Sequence, residues 1–338
     1  MSIQLHISNG DSATGLMQAA GIAGQLLPWR DLLHDGPVPA VESLQALSQI
    51  RAEFIHSCGW GDIHDLEVGF QERDNTLVRW HEHGEVVLWF EHDLYDQLQL
   101  LQILAWFAQL PAAQREQAQS RLFLIQSDDY LGECSPMEMV NLEKTKQPVS
   151  SAQLELAKQA WEAFTQPEPT AWQALLNADT SALPWLAASV KRQLMQFPST
   201  KSGLSYTQQL IVEMIAEGID NPGWLFHHYL ERDTPKFMGD ASFWQILRAL
   251  TQGASPLIAV STGAAFEPPV SYPPDEAFAA QQLSLTADGE AVLAGEADWV
   301  SLNGIDHWSG GCHLTIDNLW RWDGEKLAQI TSVRLRVE

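Results

Sequence analysis

An α/β fold is what this sequence predicts, on three observations. From residue 3 to about residue 129, short apolar runs of strand length alternate with stretches of helical periodicity. The runs at 3–8, 25–29, 86–90 and 121–126 each lead into a turn carrying ionisable side chains, the end of an open parallel sheet where ligands bind. After residue 150 the texture changes to helices separated by proline-containing breaks. Together these imply a Rossmann-like, mostly parallel sheet, then a helical segment, then a winged-helix-like C-terminal part. The boundaries expected are 1–149, 150–200 and 201–338.

Residues 3–8 read as the first strand. Gly10 allows a tight turn after it, Asp11 or Ser12 is placed to cap a helix over 13–20, and Gly21 stops that helix. A strand over 25–29 runs into Arg30-Asp31-Leu32-Leu33-His34-Asp35-Gly36-Pro37, where Gly-Pro ends regular structure. Leu44, Leu47, Ile50 and Phe54 mark one side of a helix over 43–58. The region 59–84 is less patterned, with a strand expected over 76–80. Residues 86–90 then form a buried strand, and Leu94, Leu98, Leu101 and Ala105 give the helix after it an apolar face.

Helices are expected over 151–164, 169–177 and 181–197, with 198–203 as a linker. Three more follow, over 207–216, 222–231 and 240–251, then strands at 257–260 and 283–286 and a helix over 287–294. Three helices followed by two strands is the winged-helix order. Residues 312–338 read as β-hairpins, with Asp317-Asn318 and Asp323-Gly324 as turns.

The 338 residues are 45% hydrophobic, enough for about two domains and a sizeable core. Nineteen basic residues face 43 acidic ones, for a formal net charge of −24. That field repels polyanions, so nucleic acid and anionic membrane surfaces are disfavoured partners and a small-molecule ligand is the expected one. Cys58, Cys134 and Cys312 are scattered and odd in number, which excludes a disulfide framework or a spaced zinc set and fits reduced thiols in the cytoplasm. Gln4 and His6 interrupt the first apolar run, no basic leader precedes it, and no targeting segment is expected. No run approaches the ~18–20 residues needed to cross a bilayer.

Chemistry concentrates at the strand ends. Asp11 and Ser12 follow the first strand; Arg30, Asp31 and His34 the second; Glu91, His92, Asp93 and Asp96 the third; Asp128 and Asp129 the fourth. As a ligand site, Arg30 forks onto a phosphate or carboxylate, His92 or His34 exchanges a proton, and His92 with Asp93 is the expected catalytic pair. Asp11, Ser12, Asp31, His34, Glu91 and Asp96 contact the ligand, and the clustered carboxylates suit magnesium as a hard cation. As a purely structural set, Asp11 and Ser12 cap one helix, Asp93 or Asp96 caps another, and Arg30 pairs with Asp31 or Glu91.

Other motifs are weaker. No G-x-G-x-x-G or P-loop spacing occurs. His81-Glu82-His83 lacks a third metal ligand and reads as a solvated loop. In Gly304–His313 the glycines permit close backbone approach, and Trp308 packs a tight turn. Residues 201–256 carry four basic side chains against six acidic ones, poor equipment for a duplex reader. Trp224, Phe226, Phe243 and Trp244 there read as core.

Several stretches taken together look familiar: LHISNGDS at 5–12, WRDLLHDGPVP at 29–39, WFEHDLYDQLQL at 89–100, LPWLAASVKRQLMQFPSTKSGLSYT at 183–207, FMGDASFWQILRAL at 237–250 and GIDHWSGGCHL at 304–314. They resemble the bacterial domain of unknown function 1835 family over most of the chain. The resemblance implies a bacterial grouping and brings no activity with it. His307 and Ser309 stand where it leads one to expect Arg and Leu, which argues against His307 as an obligatory catalytic group.

The functional expectation is a cytoplasmic protein that binds a small polar or phosphorylated ligand at the strand ends; if it is an enzyme, a hydrolytic or group-transfer reaction is the form expected. The competing class is a ligand-responsive regulator whose winged-helix-like part contacts a protein or DNA.

Overall fold

The apolar run at 86–90 is the middle of a five-stranded sheet. The computed structural model describes residues 3–330, in two compact units: residues 3–191 with 310–312, and residues 192–309 with 313–330. In the first unit the order is β1 (Gln4–Ser8), α1 (Asp11–Ala19), β2 (Gln25–Pro28), α2 (Leu44–Ser57), α3 (Ile63–Val78), β3 (Glu85–Glu91) and α4 (Leu94–Ala108). It continues with α5 (Ala112–Gln119), β4 (Leu122–Ser127), α6 (Pro136–Glu143), β5 (Gln147–Pro148), α7 (Ser151–Phe164) and α8 (Thr170–Ala174), and α9 (Leu186–Leu194) carries the chain into the second unit. The segment 150–191 thus belongs with the sheet.

The strand order is β2-β1-β3-β4-β5. The first four strands are parallel and β5 is an antiparallel edge, so the α/β, mostly parallel expectation holds. From β1 the chain steps to β2 on one side, and β3 lies on the other. With right-handed crossovers, opposite steps put α1 and α4 on opposite faces of the sheet. Val87 and Trp89 of β3 pack with Ala13 and Met17 of α1 and Met139 of α6. Val86, Leu88 and Phe90 alternate to the other face and are equally buried. There α4 lies between the sheet and α7, buried at every residue but Tyr95 and Trp106.

The strand expected over 76–80 is the end of α3 followed by a 3-10 turn at Trp80–Glu82. β-Branched Thr76 and Val78 mimic a strand, but Asp62 caps a helix whose buried Phe70, Arg73 and Leu77 recur at helical spacing. Helix α6 opens with Ser135, Pro136 and Glu138 in a capping box, a start signal that was there to be read. The cap position of α1 is Gly10, so neither Asp11 nor Ser12 stands at the cap.

Gly310 and Gly311 make the close approach expected of that motif. Val38 N donates to Gly310 O, and Gly311 N donates to Phe164 O. A Cβ on Gly311 would lie 1.9 Å from the Thr165 carbonyl oxygen.

The second unit holds α10 (Tyr206–Ala216), α11 (Pro222–Arg232), α12 (Asp240–Leu250), β6 (Ile258–Val260), α13 (Glu276–Ala279), β7 (Leu283–Leu285), α14 (Ala287–Leu293) and α15 (Trp299–Asn303). Four short strands follow: β8 (Asp306–Ser309), β9 (Cys312–Thr315), β10 (Leu319–Trp322) and β11 (Leu327–Ile330). β6 with β7 and β10 with β11 are antiparallel pairs, and β8 pairs with β9. The part of the expected hairpin region past residue 330 lies outside the described residues. Trp244 packs among Phe226, Phe266 and Phe278, whereas Trp224, expected in the core, is 62% exposed because α11 turns it outward. The Arg192 guanidinium bonds both Asp233 oxygens at 2.8 and 2.6 Å, tying α9 to the end of α11.

Among the described residues, Cys58, Cys134 and Cys312 form no disulfide. Among the described residues no helix is long and apolar enough to cross a membrane. The Gly311→Ala substitution must push the Thr165 carbonyl aside. Urea denaturation is expected to show a loss of about 1–3 kcal/mol, the cost of overpacking a tight contact; an unchanged midpoint would contradict this account.

Candidate functional site

The end of β3 and the start of α4 bring three carboxylates together. Glu91 closes the strand, Asp93 is the N-cap of α4 with its Oδ1 accepting from Asp96 N at 3.1 Å, and Asp96 sits in the first turn. All three are buried, and one oxygen from each lies within 4.8 Å of the others. The neighbouring β1 adds Asn9, whose Nδ2 donates to Glu91 Oε1 at 3.0 Å and Asp96 Oδ2 at 2.8 Å. Backbone amides supply two more donors: Leu131 N to Glu91 Oε1 at 2.8 Å and Glu91 N to Asp96 Oδ1 at 2.7 Å. The cluster therefore lies at the carboxyl ends of β1 and β3, at the point where the strand order reverses.

Its electrostatics are set by burial. Neutral amide donors and the N-terminus of α4 favour the anions. Among the described residues, no basic side chain forms an ion pair with Glu91, Asp93 or Asp96. Desolvation wins, pushing Asp93 up to about 8, Asp96 well above the usual carboxylate range and Glu91 upward. The mutual repulsion of the three acids adds to the effect on Asp93 and Asp96. At neutral pH the cluster thus retains protons, unless a cation replaces them. Three convergent oxygens with a neutral amide beside them match what a hard divalent cation takes.

The other expected site residues divide. His92 follows Glu91, but its ring packs between Tyr130 at 5.2 Å and Trp185 at 5.9 Å, and its buried Nδ1 has no hydrogen-bond partner among the described residues. His34 meets the Tyr95 ring edge-on at 5.8 Å, and the Tyr95 hydroxyl donates to Asn9 O. Ser12 is exposed at the start of α1, beside Gly132. Arg30 forks onto Asp11 at 2.7 and 2.6 Å, and not onto Asp31 or Glu91; the pair is more than 60% exposed. The guanidinium holds the Asp11 carboxyl below its ordinary range.

Asp31 is a strut. It is fully buried, accepts from Arg51 Nε at 2.9 Å and lies 3.8 Å from Arg73. The remaining Arg51 donors go to the carbonyls of Leu32, Asp35 and Pro37, so one guanidinium holds the whole loop after β2. Arg73 stacks on Trp29 and Phe70 and pairs with Asp74, which also accepts from Ser48. Arg51 and Arg73 sit on helices far along the chain, and no local signal marked them. Asn9, by contrast, stood at a strand end beside Gly10 and was legible.

No family model matches the chain, and neither does any curated protein.

Two measurements check this geometry. Asp31→Ala leaves Arg51 as an uncompensated buried charge and is expected to cost about 3–5 kcal/mol in denaturant unfolding; a loss below about 1 kcal/mol would remove its role as a strut. The raised carboxylates bind protons more tightly folded than unfolded. Their stabilisation is present below the ordinary carboxylate range and is lost as pH rises through about 8. In chelator, Tm should therefore fall between about pH 5 and pH 9, and Asp93→Asn should flatten that slope. Parallel profiles for the two proteins would contradict the assignment.

Proposed function

We propose that this chain binds a small polar or phosphorylated ligand where β1, β3 and β4 end. Glu91, Asp93 and Asp96 hold a divalent cation such as magnesium beside it. The observation that carries the reading is the set of three buried carboxylates at the sheet's reversal point, with no basic partner among the described residues. Such a cluster is costly unless protons or a cation neutralise it. His92, with a free ring nitrogen one residue away, is the group to exchange a proton in a hydrolytic or group-transfer step. Arg30 reaches an anionic ligand only by leaving Asp11, an exposed pair that costs little to open. The same reading takes the chain as a cytoplasmic bacterial protein of the domain of unknown function 1835 family.

A second reading rests on a separate observation. Helices α10, α11 and α12 followed by antiparallel β6 and β7 run in winged-helix order. Arg248 of α12 already faces Glu267 at 3.6 Å, and acidic residues outnumber basic ones over 201–256. A regulatory role for this part therefore favours a protein partner over DNA.

Thermal melts with Mg²⁺, Mn²⁺, inorganic phosphate, nucleotides and sugar phosphates test the first reading, since a true ligand raises Tm by mass action. A divalent cation should stabilise more at pH 8 than at pH 6, because it displaces protons. Asp93→Asn should weaken that binding at least tenfold, and His92→Ala should spare the cation response. If no cation or phosphorylated compound moves Tm, or Asp93→Asn responds like the parent, the reading fails.

A further inference from the structure

His6 is a polar interruption in the first strand, and the fold buries it completely, with the equally buried Trp89 of β3 beside it. The Trp89 indole N–H donates to His6 Nδ1 at 3.0 Å, and the two rings lie 5.8 Å apart, tilted by 55°. An indole can only donate, so Nδ1 keeps its lone pair and the ring proton sits on Nε2. Nε2 lies 3.3 Å from the Ala23 carbonyl oxygen, in the turn between α1 and β2. One ring therefore ties β3 to that turn, and it does so only in its neutral form.

The turn is fitted to the ring. Gly24 has φ +147°, and a Cβ there would lie 2.6 Å from Gln4 O and 3.0 Å from His6 Cδ2. Beyond it, β2 is four residues long and stands at the edge of the sheet, with β1 as its strand neighbour. A second proton on His6 must go to Nδ1, where the Trp89 N–H already points. Two donors facing each other in a dry interior leave both without an acceptor, and the cation without water. Burial is the largest reason why this imidazole is harder to protonate than usual. Glu143 of α6 and Glu85 of β3 favour the cation, whereas Lys146 opposes it. The other acid of α6, Glu138, is held in its capping box, β2 carries no charge, and Asp11 on α1 is paired with Arg30.

We propose that His6 is an acid-sensitive latch: neutral, it holds the turn at 20–24 and the edge strand β2 against the sheet, and protonated, it releases them. The neutral ring's contribution is fully present above about pH 6.5, the ordinary imidazole value. It is lost as pH falls through the lower value that burial sets in the folded chain. The contribution of Glu91, Asp93 and Asp96 runs the other way, growing as pH falls, so an acid-driven release at β2 does not come from them.

Nitrogen-15 NMR of the histidine-labelled full chain, recorded in chelator from pH 8 to pH 4 with hydrogen exchange on the same samples, tests this. His6 should show the Nε2–H tautomer at pH 8 and take its second proton below pH 6.5. As it does, protection of the amides at 21–29 should fall at least tenfold, while that of β4 stays unchanged. His6→Asn offers Trp89 a carbonyl oxygen in place of Nδ1 and cannot be charged, so its exchange at 21–29 should show no acid step. Trp89→Phe removes the opposing N–H and should move the step to higher pH. The parent's own spectra decide the matter if neither variant folds. A ring proton on Nδ1 at pH 8, a His6 that stays neutral until the whole chain unfolds, or protonation with protection at 21–29 unchanged would each overturn the proposal. So would an equal acid step in His6→Asn or an unmoved one in Trp89→Phe.

Discussion

Helix α4 has almost no surface of its own. It lies with the sheet on one side and α7 on another, and only Tyr95 and Trp106 are even partly accessible. A helix in that position cannot leave a polar group to water, so its acids and amides turn to partners inside the protein, and among them only Gln99 Oε1 and Gln102 Nε2 find none among the described residues. Gln97 turns back to cap the Glu91 carbonyl, and Gln99 anchors the loop after β2 through the Asp31 carbonyl. Gln102 receives the Trp29 indole. Asp93 caps the helix, and Asp96 folds back onto the Glu91 amide. Burial of this one element thus dictates the conformations of the turn before it and of the loop beside it.

That loop shows the difference between a charge pair that shapes a fold and one that decorates it. Arg30 and Asp11 form an ideal fork, yet both are largely exposed, and such pairs contribute little. Arg51 and Asp31 make a single 2.9 Å contact, but both are fully buried, and Arg51 also collects three loop carbonyls. Removing either partner strands the other in a low-dielectric interior. The loop carrying Arg30 and His34 is therefore held from beneath, at Asp31.

How much of this was legible follows from the same distinction. Strands and turns governed by local pattern were visible: β1, β2, β3 and β4 were all expected within a residue or two, and so were the acids at their ends. The convergence of Glu91, Asp93 and Asp96 needed only one strand–helix junction, so spacing alone placed them together. Asp31 looked like Arg30's neighbour in chemistry as well as in sequence. Alternation along an extended chain sends adjacent side chains opposite ways, and the buried partners, Arg51 and Arg73, lie on α2 and α3. Periodicity also understated α4: the apolar stripe predicted one buried face, and tertiary packing buried the glutamines too. Trp224 failed in the opposite direction, as an aromatic residue on a short helix that faces out.

The protein's overall charge constrains the proposed chemistry at the carboxylate cluster. A net charge of −24 sets up a field that opposes any anionic ligand approaching any surface, and three carboxylates at the sheet's end sharpen that opposition locally. The same field concentrates divalent cations. On the proposed reading, a phosphorylated ligand therefore gains access only after a cation has displaced the proton that Asp93 retains at neutral pH, or together with it. Arg30 is too exposed and too well matched to Asp11 to reverse the local sign alone. On that same reading, cation binding at Glu91, Asp93 and Asp96 is the step on which every later event at this site would depend, and it is separable from them because it would require neither His92 nor Arg30.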